Sequence, residues 1–165
     1  MAIVVKALTD NRNRTAPSMR HAFSKCSGTL GETGSVSGFA FKYRGIIELP
    51  LGKVTPEIEE CIIESGAEDY RLEDEVLVVE TVWSDLMKVA KFLASKNLVY
   101  TSANFEYIPM VTVRLDEFDK ALKVHTLIET LEEDEDVAAV WHNADIPEAI
   151  ASQILSHIEK SRFRT

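Results

Sequence analysis

The sequence predicts an α+β fold of two interleaved domains, and three observations support it. Residues 45–109 carry strand and helix signals in the order βαββαβ. The segments on either side each read as a strand, a helix and a strand. At 165 residues with 45% apolar side chains, the chain can bury cores for two small domains. The simplest arrangement joins residues 1–44 and 110–146 into one discontinuous α/β sandwich domain. Residues 45–109 are then inserted into it, and 147–165 form an amphipathic tail helix.

Residues 2–8 are a β-branched run suited to a buried strand, ending at Thr9-Asp10-Asn11. A helix should follow, because Pro17 suits a first turn and Met19, Ala22, Phe23 and Cys26 recur at i, i+3, i+4 and i+7. Gly28 is expected to stop that helix in the left-handed conformation. Phe39, Phe41 and Tyr43 alternate at period two, which predicts a strand from Ser35 that breaks at Arg44-Gly45.

Residues 46–51 open the inserted segment as a strand, and Thr55 as N-cap with Pro56 at the first helical position starts a helix that Gly66 ends. Two short strands, 68–72 and 75–82, meet around Glu73-Asp74 as a hairpin. Ser84 can cap a second helix carrying Leu86, Val89, Ala90 and Leu93, and 99–108 supplies the last strand. This order is the split βαβ of a ferredoxin-like sandwich, with both helices on one face of a four-stranded sheet. After Pro109, residues 111–115 read as a strand, Asp116 as the cap of a long helix and 137–141 as a strand. The tail helix then carries Ile150, Ile154 and Ile158 and finishes in Lys160, Arg162 and Arg164.

Net charge is −9, but unevenly placed: residues 1–50 hold 7 Lys and Arg against 3 Asp and Glu, and residues 51–165 hold 11 against 24. One end is therefore basic and the rest acidic. No apolar run approaches the roughly 20 residues needed to span a bilayer, and the N-terminus lacks the pattern of a secretory signal. A cytoplasmic protein without a membrane partner is expected. Cys26 and Cys61 lack a Cys-x-x-Cys spacing. The histidines at 21, 125, 142 and 157 show no ligand spacing, so no metal or cofactor is assigned. The acidic run 132–136 reads as a solvated helix end, and His142-Asn143-Ala144-Asp145 as turn chemistry at a strand end. No phosphate loop, nucleophile elbow or His-Glu-x-x-His helix is present, which argues against an enzyme.

The strongest candidate site is Asn11, Arg12, Asn13, Arg14 and Thr15, leading into Arg20, His21 and Lys25. Arginine and asparagine at a helix start, where free backbone N–H groups and the dipole also favour anions, form a seat for phosphate or an acidic protein. Asn and Asp alone could cap the helix, but capping needs no pair of arginines. Gly28-Thr29-Leu30-Gly31 matches the Gly-x-x-Gly of KH domains, yet a strand and not a second helix is expected after it, so a cap and turn explain it better. Gly31, Gly34 and Ser35 extend the candidate surface.

At Leu8-Thr-Asp-Asn-Arg-Asn-Arg-Thr15, Arg20-His-Ala-Phe-Ser-Lys25, Leu30-Gly31, Gly34-Ser-Val36, Gly66-Ala-Glu-Asp69 and His142-Asn-Ala-Asp-Ile146, the chain closely resembles the YebC family. That family includes the mitochondrial translational activator of cytochrome c oxidase subunit I. The resemblance runs from residue 2 to about 147. It implies a three-domain protein in which a basic helical domain precedes an α/β domain with a ferredoxin-like insertion. It also implies a non-enzymatic transcriptional regulator that binds DNA, or a translation factor that binds the ribosome and its rRNA. This chain starts where the family's second domain starts, so the basic helices are expected to be missing. Cys26-Ser27 and the tail helix depart from the family pattern, and the tail could support a homodimer. The competing expectation is a protein-interaction module or dimerisation fragment lacking its nucleic-acid-binding domain. A small-molecule sensor ranks last, since it rests on fold analogy.

Overall fold

The computed structural model of the chain describes residues 1–162; Arg164 of the expected basic terminus lies outside the described residues. The protein divides into two compact units, Met1–Phe41 with the chain from Pro109 onward, and Lys42–Ile108.

The Lys42–Ile108 unit is built on strands β2 (Phe41–Leu49), β3 (Asp69–Glu73), β4 (Val76–Val82) and β5 (Ser102–Pro109), with helices α2 (Pro56–Ser65) and α3 (Leu86–Ser95). The strands lie in the order β3-β4-β2-β5. β4 runs antiparallel to both neighbours, with Leu49 opposite Leu77 and Leu72 opposite Leu77 on the other side. This is the ferredoxin-like order. One face of the sheet and both helices close a core of Ile47, Leu49, Ile62, Leu77, Val79, Leu86, Val89, Ala90 and Leu93. Leu49, Leu77 and Leu93 are fully buried, and burying such a side chain stabilises by about 1.5–3 kcal/mol each. Local signals set the ends of α2. Thr55 Oγ1 accepts a hydrogen bond from Ile58 N at 3.4 Å, and Gly66 stops the helix at φ 83°. Asp74 and Glu75 both adopt positive φ in the hairpin between β3 and β4.

In the other unit, β1 (Ile3–Ala7) pairs antiparallel with β7 (Val137–His142), Ile3 opposite His142 and Val5 opposite Val140. Helices α1 (Arg12–Lys25) and α4 (Phe118–Glu132) pack on this ribbon through Met19, Ala22, Phe23, Leu127 and Leu131, with Ile3, Val5, Val137 and Val140 beneath them. Helix α5 (Glu148–Arg162) packs on α4 and buries Ile154. Its apolar stripe is therefore largely used inside the chain, although Leu155 stays exposed.

Several expectations are corrected. Residues 33–40 form turns and not a strand. Phe39 is 68% exposed, so the alternating aromatics do not share one buried face. Strand β2 runs unbroken through Gly45, because that glycine is pressed against Leu86 and Thr81 and does not mark a break. The first segment thus lacks the second strand of a βαβ. The second flanking segment keeps its strand, helix, strand order but pairs its strands differently: β6 (Val113–Arg114) lies parallel to β8 (Ala144–Asp145), while β7 pairs with β1. At the end of α1 it is Ser27, not Gly28, that takes the left-handed conformation, at φ 62°. A Cβ on Gly28 would lie 3.2 Å from Phe23, so Gly28 gives room rather than freedom. Neither Ser84 nor Asp116 caps a helix. A 3-10 turn, Trp83–Asp85, precedes α3, and Glu117 precedes α4.

Candidate nucleic-acid interface

Helix α1 starts at a capped turn. Asn11 Oδ1 accepts from Arg14 N at 3.2 Å, and Asn11 N donates to Thr9 Oγ1 at 3.0 Å. Asn11 is thus a capping residue. Thr15 is 4% exposed and its hydroxyl lies 2.6 Å from Asp136 Oδ2 and 2.7 Å from Thr9 Oγ1. A threonine has one hydroxyl hydrogen. The carboxylate takes it. Arg14 Nη2 donates to both oxygens of Asp136, at 2.9 and 3.1 Å, and lies 3.9 Å from Asp10. Ser18 Oγ donates to Asp134 at 3.0 Å. The start of α1 is thereby stapled to the turn between α4 and β7.

These bonds have a direct electrostatic consequence. The Thr15 hydroxyl, and then the Arg14 guanidinium, hold the Asp136 carboxyl below the ordinary carboxylate range. Asp136 in turn raises the pKa of Arg14. The acidic run is therefore not simply a solvated helix end: Asp134 and Asp136 are anchors. Thr15 is buried with its hydroxyl engaged, whereas Arg14 keeps Nη2 on Asp136 while its side chain stays 61% exposed.

The other predicted residues are spread along α1, roughly 20 Å long at 1.5 Å per residue, and into the loop beyond its far end. Arg12, Asn13, Arg20 and His21 are exposed, and among the described residues no ion pair engages Arg12 or Arg20. At 100° per residue, Arg12, Ala16 and Arg20 follow one flank, with the two arginines roughly 12 Å apart along the axis. Lys25 is exposed in the last turn, on the flank that carries Arg14 and Ser18. Gly31, Gly34 and Ser35 lie beyond the other end of the helix in an exposed loop. There Gly34 has φ 82°, and a Cβ on Gly31 would meet Ser35 Oγ at 2.5 Å.

Asn143 settles the role of the His142-Asn143-Ala144-Asp145 stretch. It is 6% exposed; its Oδ1 accepts from Ala2 N at 2.7 Å and its Nδ2 donates to Val111 O at 3.0 Å. It clamps two chain segments together. Among the described residues no cluster of His, Cys, Asp and Glu could hold a metal, and no helix is long and apolar enough to cross a membrane.

Comparison with known proteins places this arrangement. A probable transcriptional regulatory protein of Moorella thermoacetica is 43% identical over 157 residues, covering 93% of this chain and 62% of the relative. One from Sulfurihydrogenibium is 42% identical over 156 residues, with the same coverage of 93% and 62%. The chain therefore spans about three-fifths of the length of these curated relatives. The crystal structure of a conserved hypothetical protein from Aquifex aeolicus superposes with a TM-score of 0.77 at 40% identity, over 89% of this chain and 60% of that one. The family model described as the TACO1/YebC second and third domain matches residues 1–144, and the chain belongs to that family.

Proposed function

We propose that the chain is the second-and-third-domain part of a YebC-type gene-expression regulator, without enzymatic activity, and that the Arg12–Arg20 flank of α1 contacts the phosphates of DNA or ribosomal RNA in the cytoplasm. The relatives named as probable transcriptional regulatory proteins support the class. The observation that carries the contact is the pair Arg12 and Arg20, exposed and, among the described residues, without a paired carboxylate, in a chain of net charge −9. An acidic remainder repels a polyanion, so binding through this flank leaves few docking orientations. Asn13 and His21 sit beside the arginines and can add hydrogen bonds to phosphate or sugar.

The test compares a DNA mobility shift with ribosome co-sedimentation at equal salt. Removing two phosphate-neutralising cations in an Arg12→Ala, Arg20→Ala variant lowers the slope of log K against log salt by about 1.8 on duplex DNA. Arg14→Ala leaves the slope unchanged, because that guanidinium is committed to Asp136. Equal slopes for the wild-type chain and the Arg12→Ala, Arg20→Ala variant, on both targets, would refute the site.

A further inference from the structure

The helical layer of the Lys42–Ile108 unit presents two surfaces of opposite sign. Helix α2 carries Glu57, Glu59, Glu60 and Glu64 and no Lys or Arg, and among these acids stands Ile63, 69% exposed. Helix α3 carries Lys88 and Lys91 and no Asp or Glu, with Met87 49% and Trp83 55% exposed alongside. The two helices pack against each other and on the same sheet face. At 100° per residue, Glu60 and Ile63 lie opposite the buried Ile62 and Ser65, and Lys88 and Lys91 lie opposite the buried Leu86 and Leu93. Both surfaces therefore point away from the core.

Part of this charge is engaged internally. Lys96 pairs with Glu64 at 3.3 Å, and the Tyr70 hydroxyl donates to Glu59 at 2.6 Å. Among the described residues, no carboxylate pairs with Lys88 or Lys91, and no cation pairs with Glu57 or Glu60. Each surface thus combines an exposed apolar residue with unpaired charge of one sign.

We propose that this layer is a self-association surface for a second copy of the chain, which lays its α2 over α3 and its α3 over α2. A two-fold axis along the seam between the helices gives this reciprocal arrangement, in which each contact occurs twice. An axis across the seam would stack acidic helix on acidic helix and basic on basic, which like-charge repulsion rejects. In the allowed arrangement Ile63 of one copy meets the Met87 side of the other, and Glu60 faces the Lys88 and Lys91 pair. None of these residues belongs to the unit that carries the α1 flank proposed for nucleic acid.

The test is sedimentation equilibrium of the full chain at low and high salt. The expected result is a two-chain mass at low salt that moves toward one chain as salt screens the pairs. Glu60→Lys alone, and Lys88→Glu with Lys91→Glu, each weaken association by more than about tenfold. An equimolar mixture of the two variants re-forms the two-chain species, because each acquires the complement of the other. Lys88→Gln with Lys91→Gln weakens association without adding a like-charge clash, which separates lost pairing from disturbed folding. The proposal is overturned by a wild-type chain that stays single at low salt and high concentration. It is equally overturned by variants that keep the two-chain mass, or by a mixture that does not pair.

Discussion

Replacing Gly45 by alanine is expected to destabilise the Lys42–Ile108 unit, against the usual gain from removing a strand glycine. The added Cβ would stand 3.0 Å from Leu86 Cβ, 3.0 Å from Leu86 Cδ1 and 3.0 Å from Thr81 Cγ2. Both neighbours are buried, Leu86 at 2% and Thr81 at 0% exposure. Gly45 is not among the positive-φ residues, so the alanine backbone itself carries no strain. Reduced freedom of the unfolded chain stabilises by about 0.4–1 kcal/mol, whereas overpacking a buried site costs about 1–3 kcal/mol. Leu86 Cβ is fixed by the helix backbone and cannot rotate away, so the net cost is about 1–2 kcal/mol. Urea unfolding followed by the fluorescence of Trp83, which lies in this unit, reads the change as a lower midpoint at constant slope. Gly52→Ala is the control: its Cβ would meet Glu75 at 3.6 Å or more, and it should stabilise by about 0.4–1 kcal/mol. If Gly45→Ala raised the midpoint as Gly52→Ala does, the close approach of α3 to β2 would be wrong.

Asp136 has a depressed folded-state pKa, so its contribution is present above the ordinary carboxylate pKa, about 4, and is lost as pH falls through the lower folded value. Asp136→Asn is accordingly less stable than the parent at neutral pH and loses that deficit in acid. Thermal melts across this range check it, and a pH-independent difference would contradict the Thr15 and Arg14 bonds. Leu131→Ala, at a position with 0% exposure, costs about 2–5 kcal/mol. Leu155→Ala, at 58% exposure on α5, stays within about 0.5 kcal/mol. Circular dichroism in urea distinguishes them, and equal effects would place α5 differently.

What was legible in the sequence was what short-range chemistry decides. Thr55, Pro56 and Gly66 mark the ends of α2 within a few residues of chain, and the βαββαβ order followed from such marks. The alternation of Phe39, Phe41 and Tyr43 misled because period two describes a strand only when a sheet takes up its face. Gly34, at φ 82°, lets the chain turn there instead. Gly45 looked like a break because the helix pressing on it is some forty residues away in sequence. In the candidate site, Asn11 as a cap was readable and the fate of Arg14 was not. Its carboxylate partner, Asp136, is 122 residues distant, and composition cannot tell a free guanidinium from a paired one.

The pairing of Ile3 with His142 also orders events during synthesis. Strand β1 precedes β7 in the chain and stays without its partner until β7 has emerged, whereas the strands of the Lys42–Ile108 unit find theirs among themselves. Because β2 and β5 are adjacent in that sheet, its completion draws residues 41 and 109 toward each other. This shortens the effective loop that must close before α1 can meet α4. A nascent chain halted short of Val137 therefore carries a finished inner unit and an outer one whose first strand is still open to mispairing.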